Sequence, residues 1–200
     1  MAFEVSIDAS AFEEMAKRLD GSIDQLPFAL SKTLNDAAFA ARTVLVQSTW
    51  PRHVQQRNAS FIGASLRVER ATKGNLTAGV YDQLGNRGHL LELARGGTVT
   101  PTRSRVFAIP VSSDIRRGAR GVRQQDRPRN LVSNNRRAVR VTSKGIFIGK
   151  GGRLQMVYAF KPSVTIPKRV PFYSDFSEVI VREMAANFAS NVAYAMATRK

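Results

Sequence analysis

Nine arginines crowd one short stretch of the chain: Arg116, Arg117, Arg120, Arg123, Arg127, Arg129, Arg136, Arg137 and Arg140, with Asp126 the only acid among them. The guanidinium group is planar, permanently charged and able to hold a phosphate through two parallel hydrogen bonds. This pattern therefore points to contact with nucleic acid or with an acidic protein surface. Attraction to a phosphate backbone is expected rather than reading of bases. No DNA-reading helix motif is present, and Phe and Tyr are not interleaved with the arginines as a stacking platform requires.

The other constellations carry less chemistry. The run Gly149-Lys-Gly-Gly-Arg153 lacks the Gly-Lys-Ser/Thr ending of a phosphate loop and is not followed by a helix pattern, so it reads as a hairpin turn. His89 and Glu92 stand three residues apart, at the spacing of two ligands on one helical turn. Asp82 is the nearest further acid and His53 the only other histidine, so a capping or solvent-exposed role fits better. No Gly-x-Ser-x-Gly elbow occurs. With no cysteine in the chain, disulfides, cysteine-based zinc sites and thiol nucleophiles are excluded. No catalytic, cofactor or metal constellation emerges, and no enzymatic activity is expected.

Those arginines must be positioned by something. The chain has 200 residues, 43% of them apolar, enough to bury a core and to form a single domain. The formal charge is +16, distributed unevenly: −3 over residues 1–50, +4 over 51–100, +11 over 101–150 and +4 over 151–200. Segment 112–144 is rich in Gly, Gln, Asn and Ser and poor in large apolar residues. It reads as a long arm inserted into the domain, unable to fold by itself. No run of about 18 apolar residues is present to span a membrane. The opening Met1-Ala-Phe-Glu-Val-Ser-Ile-Asp8 places an acid where a signal peptide would be basic and then apolar.

Alternation of Phe3, Val5 and Ile7 predicts a strand. Ser10-Ala-Phe-Glu13 opens a capping box for a helix with Phe12, Met15, Ala16 and Leu19 on its apolar face and Gly21 at its stop. A longer helix is predicted over about 23–48, because Leu26, Leu30, Leu34, Ala37, Ala41 and Val44 recur every three or four residues. Trp50-Pro51 should end it. Its other face carries Lys32, Asn35, Asp36, Arg42 and Gln47. Leu66 and Val68 with Leu76, Ala78 and Val80 flank Lys73-Gly74-Asn75 as a hairpin. A helical turn is predicted at His89–Ala94, a strand at Val106–Val111 and a second hairpin at Ile146–Ile148 and Leu154–Phe160. Val164 and Ile166 extend another strand. The last helix, about 174–198, carries Phe176, Ile180, Met184, Phe188 and Val192 at steps of four, with Ser174 or Asp175 as its cap. The expected fold is α+β, with long amphipathic helices on a mostly antiparallel sheet. Leu30, Leu34, Ala37, Ala41, Ile180, Met184 and Phe188 make the scaffold of a subunit. The alanine-lined helix offers close approach to the C-terminal helix or to a neighbouring copy.

This order of elements resembles the minor tail protein Z family of tailed bacteriophages, the tail completion or neck proteins. Four features carry the resemblance: the N-terminal strand followed by the alanine-rich helix Leu26 to Ser48; His89-Leu-Leu-Glu-Leu-Ala-Arg-Gly-Gly97 with Thr98-Val-Thr-Pro101; Ile166-Pro-Lys-Arg-Val-Pro-Phe172; and the C-terminal amphipathic helix. The match spans most of the chain but not the arginine arm. The resemblance implies a non-enzymatic structural protein of the virion, assembled in the host bacterial cytoplasm. It implies a ring, commonly sixfold, around the DNA passage where tail meets head. Its partners would be its own copies, neighbouring neck and tail proteins and the double-stranded genome. The alternative reading is a free, sequence-independent nucleic-acid-binding protein acting through the arginine arm.

Overall fold

A computed structural model describes residues 3–10, 25–85, 89–119, 121–133 and 138–198. The helix expected over 10–21 therefore lies almost wholly outside the described residues. The chain divides into two compact units, one of residues 1–96 with 168–200, the other of 97–167. In the first unit, β1 (Glu4–Asp8) is followed by α1 (Leu26–Val44), which runs through a π-helical stretch (Leu45–Thr49) into α2 (Trp50–His53). Then come α3 (Phe61–Ser65), β2 (Leu66–Glu69), β3 (Thr77–Asp82) and α4 (Leu90–Arg95). The second unit holds β4 (Gly97–Val99), β5 (Phe107–Pro110), β6 (Arg117–Gly118), β7 (Gly121–Val122), α5 (Pro128–Ser133), β8 (Val139–Thr142), β9 (Gly145–Lys150), β10 (Arg153–Lys161) and β11 (Val164–Ile166). The chain then returns to the first unit as α6 (Phe172–Ala197). The fold is α+β, and every strand pairing among the described residues is antiparallel.

In the first unit β3 lies between β1 and β2. β1 exposes Glu4, Ser6 and Asp8 and turns Val5 and Ile7 toward the core, as its alternation requires. α1 buries Leu26, Ala29, Leu30, Leu34, Ala37, Ala38 and Ala41, and Leu45 continues the same stripe. The small alanines admit α6, which brings Phe176, Val179 and Ile180 into the same core. Each fully buried leucine there is worth about 1.5–3 kcal/mol. Across this helix pair Asn191, itself buried, donates to Thr33 Oγ1 and to Asp36 Oδ2, both at 3.1 Å.

Three details differ from the sequence expectations. The helix does not stop at Trp50-Pro51 but continues to His53, after which Val54 becomes extended. The Trp50 N–H bonds to the Leu45 carbonyl, five residues back, and this wider turn admits Pro51, whose missing N–H is not needed at the start of α2. α6 begins at Phe172, ahead of Ser174 and Asp175, and neither caps it through its side chain. Phe172 is fully buried against Phe3 (4.8 Å between ring centroids) and stacks on Trp50 (6.1 Å), so core packing fixes the start. Asp175 instead accepts a 2.5 Å hydrogen bond from Thr49 Oγ1. Asn35 and Arg42, expected on a polar outer face, reach backbone. Asn35 exchanges two hydrogen bonds with Ala71, and Arg42 donates to the Leu66 and Gly63 carbonyls at 2.8 and 2.6 Å.

In the second unit β5, β10, β9 and β8 form one sheet in that order, while β4 pairs with β11 and β6 with β7. The β9–β10 hairpin turns at Gly151 and Gly152, whose φ values of +55° and +76° suit a two-residue turn of the twist-matching type. The core is Ile115, Ile146, Ile148, Val157 and Tyr158, packed by Ala108, Val122, Leu131, Val139 and Phe160. Segment 112–144 is thus not a bare loop: it contributes β6, β7, α5 and β8. Four of its apolar residues, Ile115, Val122, Leu131 and Val139, find partners on β9 and β10, outside the segment, while Val132 and Val141 stay exposed.

Candidate nucleic-acid interface

The second unit carries fifteen basic and two acidic side chains, net +13 of the whole chain's +16. Of the nine arginines singled out, Arg116, Arg117, Arg123, Arg127, Arg129 and Arg140 are described, and all six are exposed. Arg120, Arg136 and Arg137 lie outside the described residues. In the first unit Lys32 pairs with Asp36 at 2.9 Å and Arg182 with Glu183 at 3.0 Å.

The arginines sit on a braced platform. In the β6–β7 ribbon Arg117 faces Val122, and the Arg123 N–H donates to the Arg116 carbonyl at 3.2 Å. Val122 packs against the core, while Arg116 and Arg123 are exposed. The Arg117 guanidinium bonds the Pro110 carbonyl at 2.9 Å. A 3₁₀ turn, Gln124–Asp126, leads into α5. The buried Tyr158 hydroxyl donates to the Asp126 carbonyl at 2.6 Å and ties this turn to the sheet. Burial, and then the nearby Asp126 charge, push the Tyr158 phenol above its ordinary range, while Arg117 pulls the other way. The phenol therefore stays a donor at neutral pH. Arg140 on β8 stands opposite Phe147 on β9, and Phe147 opposite Met156 on β10, an adjacency invisible in linear order.

Beside Arg123, an open depression of about 570 Å³ is lined by Arg123, Gln124, Gln125 and Asn130. Asn130 Nδ2 donates to the Gln124 carbonyl at 2.6 Å and holds its rim. Sequence reasoning passed over these three carboxamides, which follow no motif; their polarity amid arginines is the only signal they leave.

The remaining candidates resolve into structural roles. His53 Nδ1 lies 2.8 Å from the Thr49 carbonyl at the end of α2. His89 occupies the N-cap position of α4 with φ +52° but makes no capping hydrogen bond through its side chain, and its Nδ1 is 3.6 Å from Glu92. Asp82 accepts the Leu84 N–H at 2.8 Å in the turn after β3. Its second oxygen is buried without a hydrogen-bond partner, and burial pushes this carboxyl above the usual carboxylate range. Among the described residues no three His, Asp or Glu side chains gather as a metal site, and no helix is long and apolar enough to cross a membrane. The scaffold residues Leu30, Leu34, Ala37, Ala41 and Ile180 are buried in the chain's own core, with Met184 and Phe188 partly buried against it. The alanine-lined face of α1 is thus taken by α6.

Comparison of the chain with protein-family models, with curated proteins and with solved structures finds no match.

Proposed function

We propose that this chain is a non-enzymatic structural protein of a tailed-bacteriophage virion, a tail completion or neck protein whose copies close into a ring around the DNA passage. The observation that carries the reading is the partition of charge: one unit is built on two long packed helices, and the other bears +13 with its described arginines exposed. The elements that carry the family resemblance support it. β1 leads to the alanine-rich α1, α4 spans the His89–Gly97 motif, and the Pro167–Pro171 stretch leads directly into α6. Six copies with about ten cations each would match at most about 100 Å of duplex at one phosphate per ~1.7 Å. Delocalised attraction of this kind lets DNA slide, whereas base-specific contacts would arrest it.

The test is the composition of assembled particles. Purified virions and tails should contain this protein in a fixed ratio to the tail-tube protein, and particles made without it should fail to join heads to tails. Its absence from purified particles would sink the proposal. The same exposed guanidiniums favour a second reading, a free nucleic-acid-binding protein, and such a protein would stay in the soluble fraction bound to DNA.

A further inference from the structure

We infer that the Arg116–Arg123 cross-strand pair and the adjoining depression lined by Gln124, Gln125 and Asn130 form a binding site for the phosphodiester backbone of double-stranded nucleic acid. The inference rests on the proposed place of the protein at a DNA passage and names the residues that meet the DNA there.

The ribbon supplies the first argument. The Arg123 N–H to Arg116 carbonyl bond continues the β6–β7 register by one pair, so the two arginines stand directly opposite each other. Hydrogen-bonded opposite residues have Cα atoms about 5.5 Å apart, and like charges in that position repel. Both side chains are exposed, while Val122 beside Arg123 packs against the core. An anion between or along them removes the repulsion. The ribbon is also preorganised, because Ile115 is buried just before it and Asp126 is held by Tyr158 just after it.

The depression supplies the second argument. Among the described residues its lining is one guanidinium and three carboxamides. Arginine and amide side chains together are the usual donors to phosphate and sugar oxygens in protein–DNA interfaces. The hollow is open along its side, as a continuous backbone needs. A two-stranded ribbon is also narrow enough to follow a duplex groove. Isolated carboxylates of an acidic protein would satisfy the guanidiniums but would leave the amide donors without a matching array of oxygens. The contacts proposed here are to backbone oxygens, which carry no base identity, so binding should be independent of base sequence.

Full-length, nuclease-treated protein is titrated with two fluorescent duplexes of unrelated sequence while salt is raised. Both duplexes should bind alike. Arg116→Ser/Arg123→Ser should lower the slope of log affinity against log salt by about 1.8, because each phosphate contact contributes about 0.9. Arg116→Lys/Arg123→Lys, which keeps charge and solubility, should retain the slope but bind several-fold more weakly at fixed salt. Gln124→Ala/Gln125→Ala should weaken binding without changing the slope. Arg52→Ser/Arg57→Ser, exposed in the first unit, should change nothing. An unchanged slope in the serine variant, or an equal loss in the Arg52/Arg57 control, overturns the site. So does competition by polyaspartate that is as effective per charge as DNA, which would assign the face to an acidic protein. If the slope falls as expected but the protein is missing from particles, the site stands and the connector role fails. If the protein is in particles and the slope is unchanged, the site fails alone.

Discussion

At the scale of single residues, two carboxyl groups show how position sets chemistry. Asp8 is exposed and accepts the Ser10 N–H at 2.9 Å, which holds its carboxyl below the usual range. Its contribution to stability is present above its unfolded pKa and is lost as pH falls. Asp82 is 3% exposed, with one oxygen satisfied by Leu84 and the other by nothing. Burial raises its pKa in the fold, so the sign is opposite. The folded state favours the protonated acid, an advantage fully present below the unfolded value of about 3.9 and lost as pH rises through the folded value. Asp82→Asn keeps the oxygen that accepts from Leu84 but cannot ionise. Denaturant unfolding of both proteins from about pH 3.5 to 7 should show wild type losing stability relative to the variant as pH rises, then levelling. Parallel curves would mean that Asp82 does not titrate in this way.

At the scale of elements, close approach of backbones decides where substitutions hurt. A Cβ on Gly145 would lie 2.0 Å from the Tyr158 carbonyl of β10, a backbone atom that cannot swing aside. This is where β9 and β10 shift register, between Met156 and Tyr158. Gly145→Ala should cost about 1–3 kcal/mol by the usual scale of overpacking and should weaken the Tyr158 tether of the arginine platform. Its DNA affinity should fall although no charge has changed, measured beside its urea unfolding midpoint. The α1–α6 pair depends equally on small residues. Ala37 and Ala41 are fully buried, so Ala37→Leu should cost a similar ~1–3 kcal/mol in thermal or urea unfolding. If Ala37→Leu proved neutral, α6 would not be seated on that face.

At the scale of the whole molecule, the uneven charge is the dominant property. Residues 97–167 carry net +13, leaving +3 for the rest of the chain. Such a field recruits polyanions over distances set by ionic strength, about 10 Å at 0.1 M salt. Any mass measurement must therefore be made in high salt after nuclease treatment, so that nucleic acid does not bridge copies. Under those conditions light scattering should give a discrete species near six times 22.1 kDa if ring closure is spontaneous. A clean monomer would rule out spontaneous closure and move ring assembly onto a partner ring, with particle composition as the deciding measurement.

What the sequence determined by itself was whatever depends on local period and composition. The 3.6-residue stripe from Leu26 to Ala41, the alternation of Val5 and Ile7, the hairpin around Lys73–Asn75 and the glycine turn at 151–152 all read directly, because each is written in consecutive residues. So was the basic segment itself, since charge is countable. Tertiary structure decided what depends on distant partners. Phe172 starts α6 because it packs on Phe3 and Trp50. Asn35 and Arg42 leave the polar face because the carbonyls of Ala71, Gly63 and Leu66 lie within hydrogen-bond reach. The arginine segment gains strands and a short helix because Ile115, Val122, Leu131 and Val139 borrow a core from β9 and β10. Composition shows that the segment has little apolar surface of its own; it could not show that a neighbouring sheet would supply the rest. The Arg116–Arg123 pair and its amide-lined hollow arise only from that borrowed order, because cross-strand register brings together residues that no linear motif connects.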